Sequence, residues 1–125
     1  MFPRPIVSTL TVLLAVGVLG GCSRDDVDEA KGRTLDFTMT EYRLSPLTTY
    51  VDGAGKVTIK IRNDGDQAHN VALSKKGNIV LGRTTTIQKG QSAQMQLDLT
   101  EGTYRVFSSL SNDDTLGLNG YLVVR

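Results

Sequence analysis

The stretch GTYRVFSSLSNDDTLGLNGYLVV, residues 102–124, decides how the rest of the chain is read. Two segments rich in β-branched and aromatic residues, Tyr104 to Ser108 and Tyr121 to Val124, bracket a polar loop that ends in Gly117, Leu118, Asn119 and Gly120. Such runs bounded by Gly, Asn, Asp and Ser predict two strands joined by an exposed loop.

Working back from that stretch, apolar residues recur every second position rather than every third or fourth, which favours strand over helix. Ala93, Met95, Leu97 and Leu99 alternate with Gln94, Gln96 and Asp98. Val57, Ile59 and Ile61 alternate with Thr58, Lys60 and Arg62, and Leu35, Phe37 and Met39 with Asp36, Thr38 and Thr40. Each set predicts a half-buried strand. Pro46 opens a further strand, Leu47 to Val51, where no ladder N–H is required; the turn Asp52 to Gly55 closes it. The turn Asn63 to Asp66 leads into a strand from His69 to Leu73, with His69, Val71 and Leu73 facing inward. Ser74 to Ile87 is poorly patterned, with Ile79 to Leu81 a short strand or a helical turn. The expected fold is all-β: a two-sheet antiparallel Greek-key sandwich of seven or eight strands over residues 34–125.

A chain of 125 residues holds one such domain and a targeting segment. The precursor has 14 basic and 13 acidic residues, and loss of Arg4 with residues 1–21 makes the two equal. That balance gives no electrostatic case for nucleic acid. One cysteine excludes an internal disulfide. Arg4 followed by the apolar run Ile6 to Leu19 and then Gly20, Gly21 and Cys22 has the layout of an export signal, and the run is too short for a stable membrane span. Leu19-Gly20-Gly21-Cys22 resembles a bacterial lipobox, which implies a signal peptide over 1–21, removed before Cys22, and acyl chains on that cysteine. An ordinary signal peptide leaving a free thiol is the alternative. Multiple acyl chains anchor stably where a single one does not. Ser23 directly after the cysteine permits sorting to an outer membrane where one exists. Residues 22–33 then form the lipidated cysteine and a flexible tether, spanning roughly 18 Å as a coil and about 38 Å stretched.

Three blocks within Leu35 to Val124 resemble the cupredoxins, the small blue copper proteins. They are Phe37 to Pro46, Val57 to Asn63 followed by Ala68-His69-Asn70-Val71, and Ile87 to Gly90 running through Leu99, Gly102 and Tyr104 into the final stretch. The resemblance implies the sandwich fold and places four ligand positions at His69, Ser108, Asp113 and Leu118, where the family has His, Cys, His and Met. Only His69 keeps its type. A blue copper site needs a thiolate and two imidazoles with a weak axial thioether; a seryl hydroxyl is a hard, weak ligand and a leucine donates nothing. The resemblance also implies that Asn70 hydrogen-bonds across the two ligand-bearing loops.

The expected function is a membrane-anchored, extracytoplasmic binding or structural module without a type 1 copper centre or other cofactor, and not an enzyme. The anchoring membrane, cell or outer, is reached through Cys22. A protein partner is expected at the loop end around His69, Ser109, Leu110, Leu116 and Leu118. The alternative is weak copper or zinc handling by His69 with Asp113, helped by Met39 or Met95. Third comes a hydrolase, because converging ligand positions would bring together Ser108, His69 and Asp113, the residue types of a catalytic triad. Asn63, Asp64 and Asp66 lack the spacing of a calcium loop and read as a turn.

Overall fold

Leu35, Phe37 and Met39 are all buried along one strand, β2 (Thr34–Thr40), and Val57, Ile59 and Ile61 along another, β5 (Gly55–Asn63). The computed structural model describes residues 26–30 and 32–125; the expected signal segment and Cys22 lie outside them. Strands β3 (Arg43–Ser45), β2, β5 and β8 (Ser92–Leu99) form a four-stranded sheet in the order β3-β2-β5-β8. Opposite it lies a six-stranded sheet made of β1 (Val27–Glu29), β4 (Thr48–Val51), β6 (Ala72–Lys75), β7 (Ile79–Arg83), β9 (Gly102–Phe107) and β10 (Asn119–Val124). Its order is β1-β4-β10-β9-β6-β7.

The inner faces of the two sheets meet in one apolar core. Leu35, Phe37, Met39, Ile59, Ile61, Leu73, Val106 and Leu122 all lie within it. The all-β two-sheet sandwich is therefore as the alternation predicts. Three particulars differ. The sheets are mixed rather than antiparallel, because β2 runs parallel to β5, β4 to β10 and β1 to β4. The described residues hold ten strands, not seven or eight. The strand expected over His69 to Leu73 is instead Ala72–Lys75, with His69 joined to Ile87 by an isolated bridge.

Of residues 22–33, where a tether is expected, 26–30, 32 and 33 are described. From Asp26 onward the chain belongs to the sandwich: the Asp26 carbonyl accepts the N–H groups of Leu47 and Thr48 at 2.9 and 3.0 Å, and β1 follows on β4. The Asp26 carboxylate meets the Arg43 guanidinium at 3.0 Å. Arg33 donates to the carbonyls of Lys56, Asp52 and Gly53 at 2.7, 3.0 and 3.0 Å. Backbone pairing thus orders a segment whose side chains carry little apolar surface.

Candidate functional site

β9 and β10 are antiparallel neighbours, and their connection forms one end of the sandwich. The connection contains a single helical turn, α1 (Asp113–Leu116), closed by Gly117. Gly117 has φ 130°, and a Cβ there would press on the Tyr42 carbonyl at 2.5 Å, so glycine lets this loop lie against the β2–β3 turn. The Asp113 carbonyl takes the Leu118 N–H at 3.0 Å, and the Leu118 carbonyl takes the Ser108 N–H at 3.0 Å. These bonds carry Ser108, Asp113 and Leu118 to the His69 loop.

His69 is held from its own side by a second loop. Asn63, fully buried, donates to the carbonyls of Gln67 at 2.7 Å and Ile87 at 2.9 Å, and accepts the Gly65 N–H at 2.9 Å. The backbones of His69 and Ile87 exchange two hydrogen bonds, 3.1 and 2.6 Å. Asn63 therefore acts as the internal brace of the turn from Asn63 to Asp66.

At the junction, the side chains form a chain of hydrogen bonds. Ser108 Oγ donates to Asp113 Oδ2 at 2.7 Å, and the same oxygen lies 2.7 Å from His69 Nδ1. The other ring nitrogen, Nε2, lies 3.0 Å from Glu41 Oε1. His69, Ser108 and Asp113 are buried, with the imidazole wholly out of water. Each ring nitrogen faces a carboxylate oxygen, so whichever nitrogen donates has an acceptor in place. Tyr42 packs edge-on to the ring with centroids 6.3 Å apart. Asn70 staples the two loops, as the resemblance implies. Its Oδ1 accepts the Ser109 N–H at 2.7 Å and lies 3.3 Å from Ser108 Oγ, while Nδ2 donates to Ser109 Oγ at 2.8 Å.

Glu41 is the member that sequence reasoning missed. Its carboxylate accepts the N–H groups of Asp66 at 2.9 Å and Gln67 at 2.7 Å. These two bonds, and then the His69 ring, hold its pKa down to about 2 from an ordinary 4.5. A Cβ at Gly65 would overlap the Glu41 carboxylate, so the glycine makes the approach possible. No local pattern around Glu41 signals this role; the partners lie across the fold.

His69, Ser108 and Asp113, three of the four positions that the resemblance implies, thus meet. Asp113 and Ser108 are bonded directly to each other, and Asp113 to His69, at hydrogen-bond distance. Leu118 is buried in the apolar core and has no donor atom. Its burial corrects the expectation that it offers surface to a partner; Leu116 is exposed. Met39 is a core residue and Met95 packs against the core. Among the described residues no group of three His, Cys, Asp or Glu is placed to hold a metal ion. Nor is a triad assembled, although its three residue types meet. Asp113 sits between Ser108 and His69, and neither imidazole nitrogen faces the serine, so His69 is not placed to take the Ser108 proton.

Comparison with known proteins agrees with this layout. The profile of the family described as "Cupredoxin-like domain" matches residues 10–124. Among solved structures, dithionite-reduced auracyanin from Roseiflexus castenholzii superposes with a TM-score of 0.70 at 15% identity, covering 77% of this chain and 99% of that one. Auracyanin A of Chloroflexus aurantiacus, a "blue" copper protein, gives 0.66 at 17% identity, with 78% and 99% covered. Rusticyanin from Thiobacillus ferrooxidans gives 0.66 at 13%, with 80% and 82% covered. A comparison with curated protein sequences finds no match. With most of its length matched by the family profile, the chain belongs to the cupredoxin-like domain family.

Proposed function

We propose that this chain is a lipid-anchored, extracytoplasmic cupredoxin-like module, binding or structural in role, in which a Ser108–Asp113–His69–Glu41 hydrogen-bond chain stands where relatives carry copper. One observation carries the reading: a single carboxylate oxygen, Asp113 Oδ2, lies 2.7 Å from both Ser108 Oγ and His69 Nδ1. Metal ligands must be deprotonated to bind, and here each donor atom is engaged with a proton or a proton acceptor of its neighbour. Donor type argues the same way, since hydroxyl and carboxylate do not favour Cu(I) as thiolate does. Export and anchoring rest on the N-terminal run and Cys22.

Glu41 and Asp113 approach opposite nitrogens of one ring, so one ion could not take both carboxylates together with His69. Weak copper or zinc handling by His69 is accordingly the less favoured use of the site, and hydrolysis lacks the required order of groups. The test is a titration of the purified chain with Cu(II) and Zn(II), following the His69 ring resonances. No saturable change at one equivalent of micromolar metal is expected; saturation at one equivalent would replace this reading with metal handling.

A further inference from the structure

Scattered exposed apolar side chains are ordinary, but a cluster of them beside a chain exit is a different matter. Three of the seven large apolar residues exposed among the described residues, Val27, Leu47 and Tyr121, at 47%, 40% and 50% exposure, lie on segments joined to one another beside Asp26, the first described residue after Cys22. Val27 pairs with Thr48 and Thr48 with Tyr121, so Val27, Thr48 and Tyr121 lie in one row across β1, β4 and β10, and Leu47 adjoins that row just before β4 begins rather than standing in it. Residues paired across a sheet share a face. The row spans about 10 Å. Leu47 is bound into the same corner, its N–H given to the Asp26 carbonyl at 2.9 Å and its carbonyl taking the Tyr121 N–H at 2.7 Å.

We propose that this corner is a membrane-contact face, with Val27, Leu47 and the Tyr121 ring seated in the headgroup layer of the bilayer that holds Cys22. The inference rests on the anchoring reading above. Its first support is length. Asp26 is fixed in the sheet by two backbone hydrogen bonds, and the four residues from Cys22 to Asp26 span at most roughly 14 Å even when fully extended. A folded partner of about 100 residues has a radius of gyration near 13 Å, so it is too wide to lie between this corner and the bilayer. The second support is chemistry. An aromatic ring with a hydroxyl tip, flanked by aliphatic side chains, suits a layer that is apolar on one side and wet on the other.

The opposite edge of the same sheet supplies the control. Ile79, at 52% exposure, sits on β7, five strands from β1 and about 24 Å away.

The experiment uses the acylated full chain in vesicles of phosphatidylethanolamine and phosphatidylglycerol. Nitroxide labels are placed singly by Val27→Cys, Leu47→Cys, Tyr121→Cys and Ile79→Cys, with Cys22 occupied by its lipid. Labels at 27, 47 and 121 are expected to show a several-fold rise in the ratio of oxygen to nickel-complex collision rates on reconstitution, while the label at 79 stays in water. Acylated protein whose three corner labels remain in water overturns the contact face and leaves anchoring intact. Burial of those labels without oxygen access overturns it in favour of a protein occupant, a second copy included. A mature chain shown by mass spectrometry to carry no acyl group overturns both readings.

Discussion

At the loop end, His69, Asn63, Asn70, Ser108 and Asp113 are buried, with side-chain hydrogen bonds to one another or to backbone. At the opposite end the polar groups stay wet. Arg125 bridges Asp52 at 3.0 Å and Glu29 at 2.8 Å and lies 4.5 Å over the Tyr50 ring, and all three partners keep substantial contact with solvent. Each end ties distant strands together with charged groups, yet the energetic stakes differ. An exposed ion pair contributes about 0 to 1 kcal/mol, because water replaces a lost partner. A buried group stripped of its partner has nothing to replace it, and breaking such a pair costs about 3 to 5 kcal/mol. Burial, not the number of bonds, decides which end holds the fold.

The largest expected effect is therefore at Asp113. Asp113→Ala removes at once the acceptor that Ser108 Oγ and His69 Nδ1 share inside the fold, and urea unfolding should show a loss of about 3 to 5 kcal/mol. A loss below about 1 kcal/mol would erase the contrast between the ends.

Acid should act through Glu41. Its pKa is depressed in the folded chain, so its contribution to stability is complete above the unfolded value near 4.5 and is lost as pH falls toward about 2. Melting temperature measured across that window should fall less steeply in Glu41→Gln than in the parent. Parallel curves would mean that the turn from Asp64 to Gln67 is held by its backbone alone.

The smallest effect belongs to Arg125→Ala, a shift at the edge of what the same unfolding assay resolves and shrinking with added salt. A larger, salt-independent loss would show that the stacking on Tyr50 matters more than the ion pairs.

The strands whose alternation could be read are those with one face in the core. Leu35, Phe37 and Met39 announce β2 because their neighbours Asp36 and Thr40 are exposed. β7 has no dry face, with Ile79, Val80 and Leu81 all exposed, so its apolar run carried no period and stayed ambiguous. β1 carries no period for the same reason: Val27, Asp28 and Glu29 are all exposed, and the strand is recruited by backbone bonds to β4. Alternation shows which face of a strand is buried but not its neighbour, which is why the parallel pairing of β2 with β5 was not foreseen. At the site, Ser108, Asp113 and His69 could be placed together from the spacing of the resembled family. Glu41 could not, because its partners at Asp66, Gln67 and His69 are 25 to 28 residues away and nothing in the Glu41-Tyr42 pair marks a hydrogen-bond hub.

Asp113 also bears on how such a protein reaches its working form. If its oxygen joins the two loops in place of an ion, every component of the junction arrives with the polypeptide. For the lipid-anchored module proposed above, maturation would then need neither a copper donor nor a particular oxidation state, and the amount of working protein would follow its synthesis and processing rather than the metal content of the surroundings.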